Sequence, residues 1–160
     1  MSLVEVNAER HIVFAYDPGK VTGWACYAPT SGGHTCGQTE GRFNFYRLFE
    51  QTISYGGTVE VVGEKFTIGA QTVGKTPQYD ALYINGTVEY LSDKLGFPLQ
   101  LQTPAQAKAF ATDTKLKVIN WHKPTKGGHA NDANRHLLTY LVTQRKALCA
   151  PLIEQLVEAL

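Results

Sequence analysis

No hydrophobic run in this chain approaches the ~18 residues a helical membrane span needs, and Met1-Ser2-Leu3-Val4-Glu5 lacks the basic and apolar regions of a secretion signal. A cytoplasmic protein with no membrane partner is the expectation. Cysteine is scarce as well. Cys26, Cys36 and Cys149 are odd in number, widely spaced and without any CxxC pair, which argues for three reduced, mostly buried thiols over a disulfide framework or a zinc site. Internal repeats, low-complexity tracts and linker-like stretches are missing, so 160 residues with 43% hydrophobic content read as one domain spanning residues 1–160. Net charge is nearly missing too, at +1, and gives no sign of a nucleic-acid partner until it is located along the chain.

Residues 1–103 carry 7 Lys+Arg against 10 Asp+Glu, residues 104–146 carry 8 against 2, and residues 147–160 carry two Glu and no base. The basic charge is therefore concentrated in one stretch, with Lys108, Lys115, Lys117, Lys123 and Lys126 leading into His129-Ala130-Asn131-Asp132-Ala133-Asn134-Arg135-His136. Such an asymmetry suits a phosphate-facing surface beside an acidic site, and also suits lysines that merely solvate exposed helices.

Periodicity supplies the elements. His11 to Tyr16 reads as a buried strand, Thr22 to Ala28 as a second, and the region around His34 to Phe43, after the Ser31-Gly32-Gly33 turn, as a third. Tight turns make these an antiparallel meander. Phe45, Leu48, Phe49, Thr52 and Ile53 have helical spacing, stopped by Gly56-Gly57. Val59 to Phe66 is a β-branched central strand ending at Glu64 and reached by a helical crossover. Gly69 to Pro77 reads as a mobile loop beside it. Ala81, Ile84, Val88, Leu91 and Leu95 mark an amphipathic helix ended by Gly96. Gly86 in its middle costs about 1 kcal/mol relative to Ala and so suggests close packing against another helix or a second subunit. Pro98 to Leu101 is a short strand, Thr103-Pro104 a capped helix start, and the last long helix runs from near His129 to Lys146, with Leu152, Leu156 and Leu160 on a terminal helix. The order implies an α/β sheet with an antiparallel edge.

Asp17 and Glu64 each close an apolar strand, where a charge is costly to bury unless something neutralises it. A divalent cation does so, and carboxylate oxygens suit Mg²⁺ or Mn²⁺. His129, Asp132 and His136 are three and four residues apart, so on a helix they share a face, and Asp132 completes a three-carboxylate set. Two such ions roughly 3.5 to 4 Å apart activate water and stabilise the leaving oxygen of a phosphodiester. His129 is a candidate fourth ligand, and His136 a candidate for positioning the attacking water or orienting Asp132. The bland alternative has Asp17 capping its own turn, in which Asp17-Pro18-Gly19-Lys20 carries the type II pattern, Glu64 paired with Lys65 or another base, and Asp132 an ordinary first-turn helical acid.

Tyr16-Asp17-Pro18-Gly19 with Thr22-Gly23-Trp24-Ala25, the strand ending Val61-Val62-Gly63-Glu64, and His129-Ala130-Asn131-Asp132-Ala133 resemble the three acidic motifs of RuvC-type Holliday-junction resolvases, in a bacteriophage-encoded branch. Thr103-Pro104-Ala105-Gln106-Ala107-Lys108 and Lys115-Leu116-Lys117 resemble that family's basic DNA-contacting stretch. The resemblance implies a ribonuclease H-like fold, with a five-stranded mixed sheet of an antiparallel three-strand meander plus parallel strands, flanked by helices. It implies a homodimer, in the host cytoplasm if phage-encoded, that nicks four-way DNA junctions using one or two Mg²⁺ or Mn²⁺ ions held by Asp17, Glu64, Asp132 and His129. Lys65, Phe66, Lys75, Lys108, Lys115 and Lys117 are the DNA contacts it suggests. Phe66 lies two residues past Glu64, where family members usually carry an aromatic wedge a few residues on; a packed aromatic is its other reading. Three rivals remain: a ribonuclease H-like nuclease acting on RNA, flaps or forks, a module that binds branched DNA without cutting it, and an actin-like phosphate loop, which needs two such domains.

Overall fold

A computed structural model describes residues 10–54, 57–70 and 79–159. Strand β1 (His11–Asp17) is apolar at nearly every position, so it is buried on both faces and becomes the centre of the sheet. Around it lie β2 (Val21–Ala28), β3 (Gly33–Glu40), β4 (Thr58–Glu64) and β5 (Leu99–Gln102), in the order β3-β2-β1-β4-β5. The β1–β2 and β2–β3 pairs are antiparallel, and β1–β4 and β4–β5 are parallel. This is the mixed sheet expected from the sequence.

Helices α1 (Arg42–Ser54) and α2 (Tyr79–Leu95) cover one face, packing Phe45, Phe49, Ile84 and Val88 against Ile12, Phe14 and Tyr16. Each fully buried side chain of this size contributes about 1.5–3 kcal/mol relative to exposure. The other face carries α3 (Pro104–Phe110), α4 (Asp113–Val118), α5 (His129–Gln144), a 3₁₀ turn over Lys146–Leu148, and α6 (Ala150–Ala159). Helix α5 is the core element, placing Ala133, Leu137, Leu138 and Leu141 over Val13, Ala15 and Val62. It runs antiparallel to β4, because His136 meets Glu64 while Tyr140 and Arg145 meet Glu60. Glu60, 5% exposed, also accepts from His11 Nε2 at 3.0 Å, so its charge is fully partnered.

Several expectations are corrected. The third strand stops at Glu40: Gly41, at φ 81°, turns the chain, and Phe43 is an exposed residue of α1. The fourth strand ends at Glu64 as expected, with Lys65 and Phe66 of its β-branched run lying beyond it, whereas β5 runs Leu99–Gln102 and not Pro98 to Leu101. Gly86 is exposed, and a Cβ there would meet nothing within 4 Å, so no described element packs closely on it. Of the thiols, only Cys149 is buried; all three are free. Helix α4 went unanticipated in the sequence. Thr103 caps α3 as expected, in a reciprocal box with Gln106. Gly96, at φ 76°, terminates α2. Residues 71–78, with Lys75 and most of the expected loop, and Leu160 lie outside the described residues.

Candidate active site

Asp17 and Glu64 close adjacent parallel strands, with Tyr16 and Gly63 in register just before them. Asn85 on α2 ties these ends together: it accepts from Tyr16 Oη at 2.9 Å and donates to the Glu64 carbonyl at 3.1 Å. The first turn of α5 arrives from the other face. Gly127 and Gly128, at φ 81° and 72°, make the left-handed turn into it. Asn131 holds the preceding loop by donating to Lys123 O at 2.7 Å and accepting from Lys123 N at 2.8 Å; Asn134 donates to Trp121 O at 2.8 Å. Gln38 on β3 completes the clamp, donating to Lys126 O and accepting from Ala130 N.

The result is a cleft of about 850 Å³ into which Asp17, Glu64, His129 and Asp132 all open, with Lys20, Lys65, Phe66 and Lys108 among its walls. Asp17 is 7% exposed, and its carboxyl is pushed up to about 6, by burial first and then by the charges of Glu64 and Asp132, against the lowering effect of a hydrogen bond from His129 Nδ1 at 2.9 Å. The carboxylates thus sense one another. Each also has a basic partner. His136 Nε2 donates to Glu64 Oε2 at 3.0 Å, and Asp132 Oδ1 accepts from Arg135 Nη1 at 2.5 Å with Lys108 Nζ 3.8 Å away. Arg135 also binds Asp113 at the start of α4.

Among the described residues, no group of three or more His, Cys, Asp and Glu side chains is arranged to hold a metal ion. The donor set itself fits a hard divalent cation: carboxylate oxygens plus one imidazole, in a cleft where a buried acid is destabilised by two neighbouring acids. Added positive charge relieves that repulsion.

The details revise the sequence reading. Asp17 does not cap its own turn; Thr22 Oγ1 does, donating to Gly19 O at 3.1 Å. Gly19 lacks the left-handed φ that a type II turn requires. Glu64 does pair with a base, but the base is His136 and not Lys65. His136, 1% exposed, is hydrogen-bonded to Glu64 and not to Asp132. Phe66 is half-buried on the cleft wall. Lys115 and Lys117 are not among the lining residues, and Lys115 Nζ is engaged by Phe110, through its carbonyl at 2.9 Å and its ring at 4.2 Å. Sequence reasoning gave no role to Lys20, Arg135 or Gln102. Lys20 sits in the Asp17 turn and Arg135 three residues after Asp132, so both were within reach; Gln102 is found only from the β4–β5 register.

No protein-family model and no curated protein sequence matches the chain. Solved structures do. Thermus thermophilus RuvC in complex with a Holliday junction substrate superposes with a TM-score of 0.56 at 16% identity, over 84% of this chain and 97% of that one. A second T. thermophilus RuvC structure gives 0.57 at 16% identity, over 86% and 97%. At this identity the likeness establishes the fold, the five-stranded mixed sheet of the ribonuclease H-like class.

Proposed function

We propose that this chain is a divalent-metal-dependent endodeoxyribonuclease that nicks four-way DNA junctions and related branched DNA. The observation that carries the reading is the convergence of Asp17, Glu64, His129 and Asp132, from β1, β4 and α5, on one cleft walled by lysines. The shared fold supports it, since one matched RuvC structure holds a Holliday junction substrate. Asp17, Glu64, Asp132 and His129 are the residues that would hold the cation. When bound, Mg²⁺ or Mn²⁺ supplies a water nucleophile at neutral pH and stabilises charge on the departing oxygen. Lys20, Lys65 and Lys108 draw the phosphate backbone to the cleft without reading bases, and Phe66 offers a ring on which an unpaired base can stack. Arg135 and Lys108 hold the charge of Asp132 in the free protein.

A single domain acting as a homodimer completes the reading. Helix α2 presents Tyr79, Leu82, Tyr83 and Tyr90, each 41–61% exposed, with Gly86 among them leaving open space for a second backbone to approach. Light scattering on the parent and on a Leu82→Glu, Tyr83→Glu double variant tests it: a parent monomer, or a variant that remains dimeric, rejects this face.

The activity test is a synthetic four-way junction with and without Mg²⁺ or Mn²⁺. Paired symmetric nicks appear only with metal, and Asp17→Asn or Glu64→Gln abolishes them while junction affinity stays within about tenfold. Turnover in either variant rejects the site. Metal-independent binding with no cleavage of junction, flap or RNA hybrid makes the chain a binding module instead.

A further inference from the structure

The acids of the cleft are held in two different ways. Asp17 and Asp132 each have a partner that stands in the cleft itself, His129 at 36% and Lys108 at 58% exposure, which an incoming ligand can displace, although Asp132 is also held by the 16%-exposed Arg135. Glu64 is held from underneath. His136 is 1% exposed, with Leu137 and Ala133 beside it in the core, and has nowhere to withdraw to.

A buried imidazole on a helix whose neighbouring inward positions are Ala and Leu is an expensive choice for packing alone, since an apolar side chain of similar volume avoids the desolvation cost. Both ring nitrogens nevertheless face a polar partner. Nε2 donates to Glu64 Oε2 at 3.0 Å, because an ionised carboxylate has only lone pairs to offer, and Nδ1 stands 3.1 Å from Gln102 Oε1. An amide can present either its oxygen or its nitrogen to Nδ1, so Gln102 keeps the ring in place in either orientation. Gln102 is itself 4% exposed and fixed by the sheet: it is the register partner of Glu64, and its carbonyl accepts from Lys65 N at 2.7 Å.

We propose that Gln102 and His136 form a buried relay that sets the direction of the Glu64 carboxylate before any ligand arrives, making His136 a positioning residue. The proposal rests on the reading of the cleft as a metal-dependent nuclease site. One oxygen of Glu64 is committed to the interior, so the carboxylate meets a cation in one orientation and not as a freely rotating group. Partners behind a metal ligand typically change metal affinity or activity by about 10–100-fold when removed.

The test uses His136→Leu, His136→Gln and Gln102→Leu in the full chain. Mn²⁺ binding to the protein alone is followed by electron paramagnetic resonance of the free ion, junction affinity is measured in chelator, and single-turnover cleavage is titrated with Mg²⁺. His136→Leu is expected to keep its fold and its junction affinity within about twofold, while Mn²⁺ affinity and the Mg²⁺ requirement worsen by about tenfold or more. His136→Gln, which keeps a donor, recovers most of the loss. Gln102→Leu moves in the same direction by less, and adding it to His136→Leu costs nothing further, as members of one relay should behave. If His136→Leu does not fold, Gln102→Leu and His136→Gln decide, because both leave a polar group on Glu64 or an intact ring. Parent-like metal binding in His136→Leu and Gln102→Leu overturns the relay while leaving the nuclease reading intact. A parent protein that neither binds Mn²⁺ nor cleaves overturns both.

Discussion

Gly23 and His129 meet where no side-chain carbon fits: a Cβ on Gly23 would stand 1.8 Å from the His129 carbonyl oxygen and 2.9 Å from Ala130 N. Gly23 is also the β2 partner of Asp17. Its bare backbone is what lets the first turn of α5 lie over the end of β1 and brings His129 Nδ1 to Asp17 Oδ2.

Gly23→Ala is therefore expected to push the start of α5 outward. A displacement of about 1 Å at reacting groups costs on the order of 100-fold in rate, and overpacking of this kind costs about 1–3 kcal/mol or more in stability. Thermal unfolding and junction cleavage measure the two effects, and a variant that matches the parent in both refutes the account of this contact.

Asp17 links the site to pH. Its carboxyl, normally 3.8, is pushed up to about 6, so the fold holds this proton more tightly than the unfolded chain does. The stability it contributes is full below 3.8 and is lost as pH rises toward 6. Without divalent ions, Asp17→Asn is expected to be more stable than the parent at about pH 8, by up to about 2–3 kcal/mol, with the gap closing in acid. On the proposed metal-site reading, Mg²⁺ or Mn²⁺ is expected to raise the parent's unfolding midpoint and to leave that of Asp17→Asn nearly unmoved. Urea unfolding at two pH values, with and without metal, checks this; a parent already more stable than the variant at high pH in chelator contradicts it.

The lysines separate by what their amines touch. Lys108→Ala removes a cleft cation and is expected to weaken junction binding and reduce the salt slope by about one. Lys115→Ala leaves that slope nearly unchanged and instead loosens the α3–α4 turn, because its amine is occupied by the Phe110 carbonyl and ring. Fluorescence anisotropy over a salt series distinguishes them. Equal slope changes in both variants would place Lys115 on the DNA surface after all.

His34 fastens the β3 edge: its ring stacks on Trp121 at 4.1 Å, and its Nε2 lies 2.8 Å from Asn134 Oδ1. Burial, helped by the charge of Lys123 and opposed by the Asn134 bond, lowers it from 6.5 to about 4. The unfolded chain thus binds the proton more readily, so this stacking contributes fully above 6.5 and is lost as pH falls toward 4. The His34 ring signal is expected to titrate near 4 by NMR, and His34→Gln to flatten the acid side of the stability profile. A ring titrating at its ordinary value removes the anchor from the account.

How far the sequence carries depends on whether an element is defined locally. The apolar run His11 to Tyr16 and the Thr103-Pro104 helix start carry their own signal, and a carboxylate closing an apolar strand marks Asp17 and Glu64 without any knowledge of their neighbours. The polar strand β3 alternates too weakly to reveal where it ends, and Gly41 does the terminating. Short α4 has no period long enough to read. His136 is assigned to the wrong acid because spacing on one helix favours Asp132, whereas its true partner lies 72 residues away on β4. Gly86 is read only halfway for a related reason: a helical glycine signals room, and within the described residues nothing fills it.

Glu60 and Glu64 both reach α5, one through Tyr140 and Arg145 and the other through His136. A greasy stripe alone tolerates sliding, since leucines one turn apart are nearly interchangeable. These two rungs do not: a slip of one turn, about 5.4 Å, strands both acids at once, one of them deep inside the protein. The same polar ladder that serves the cleft therefore indexes the central helix on the sheet, and misaligned dockings reached during folding have no resting place.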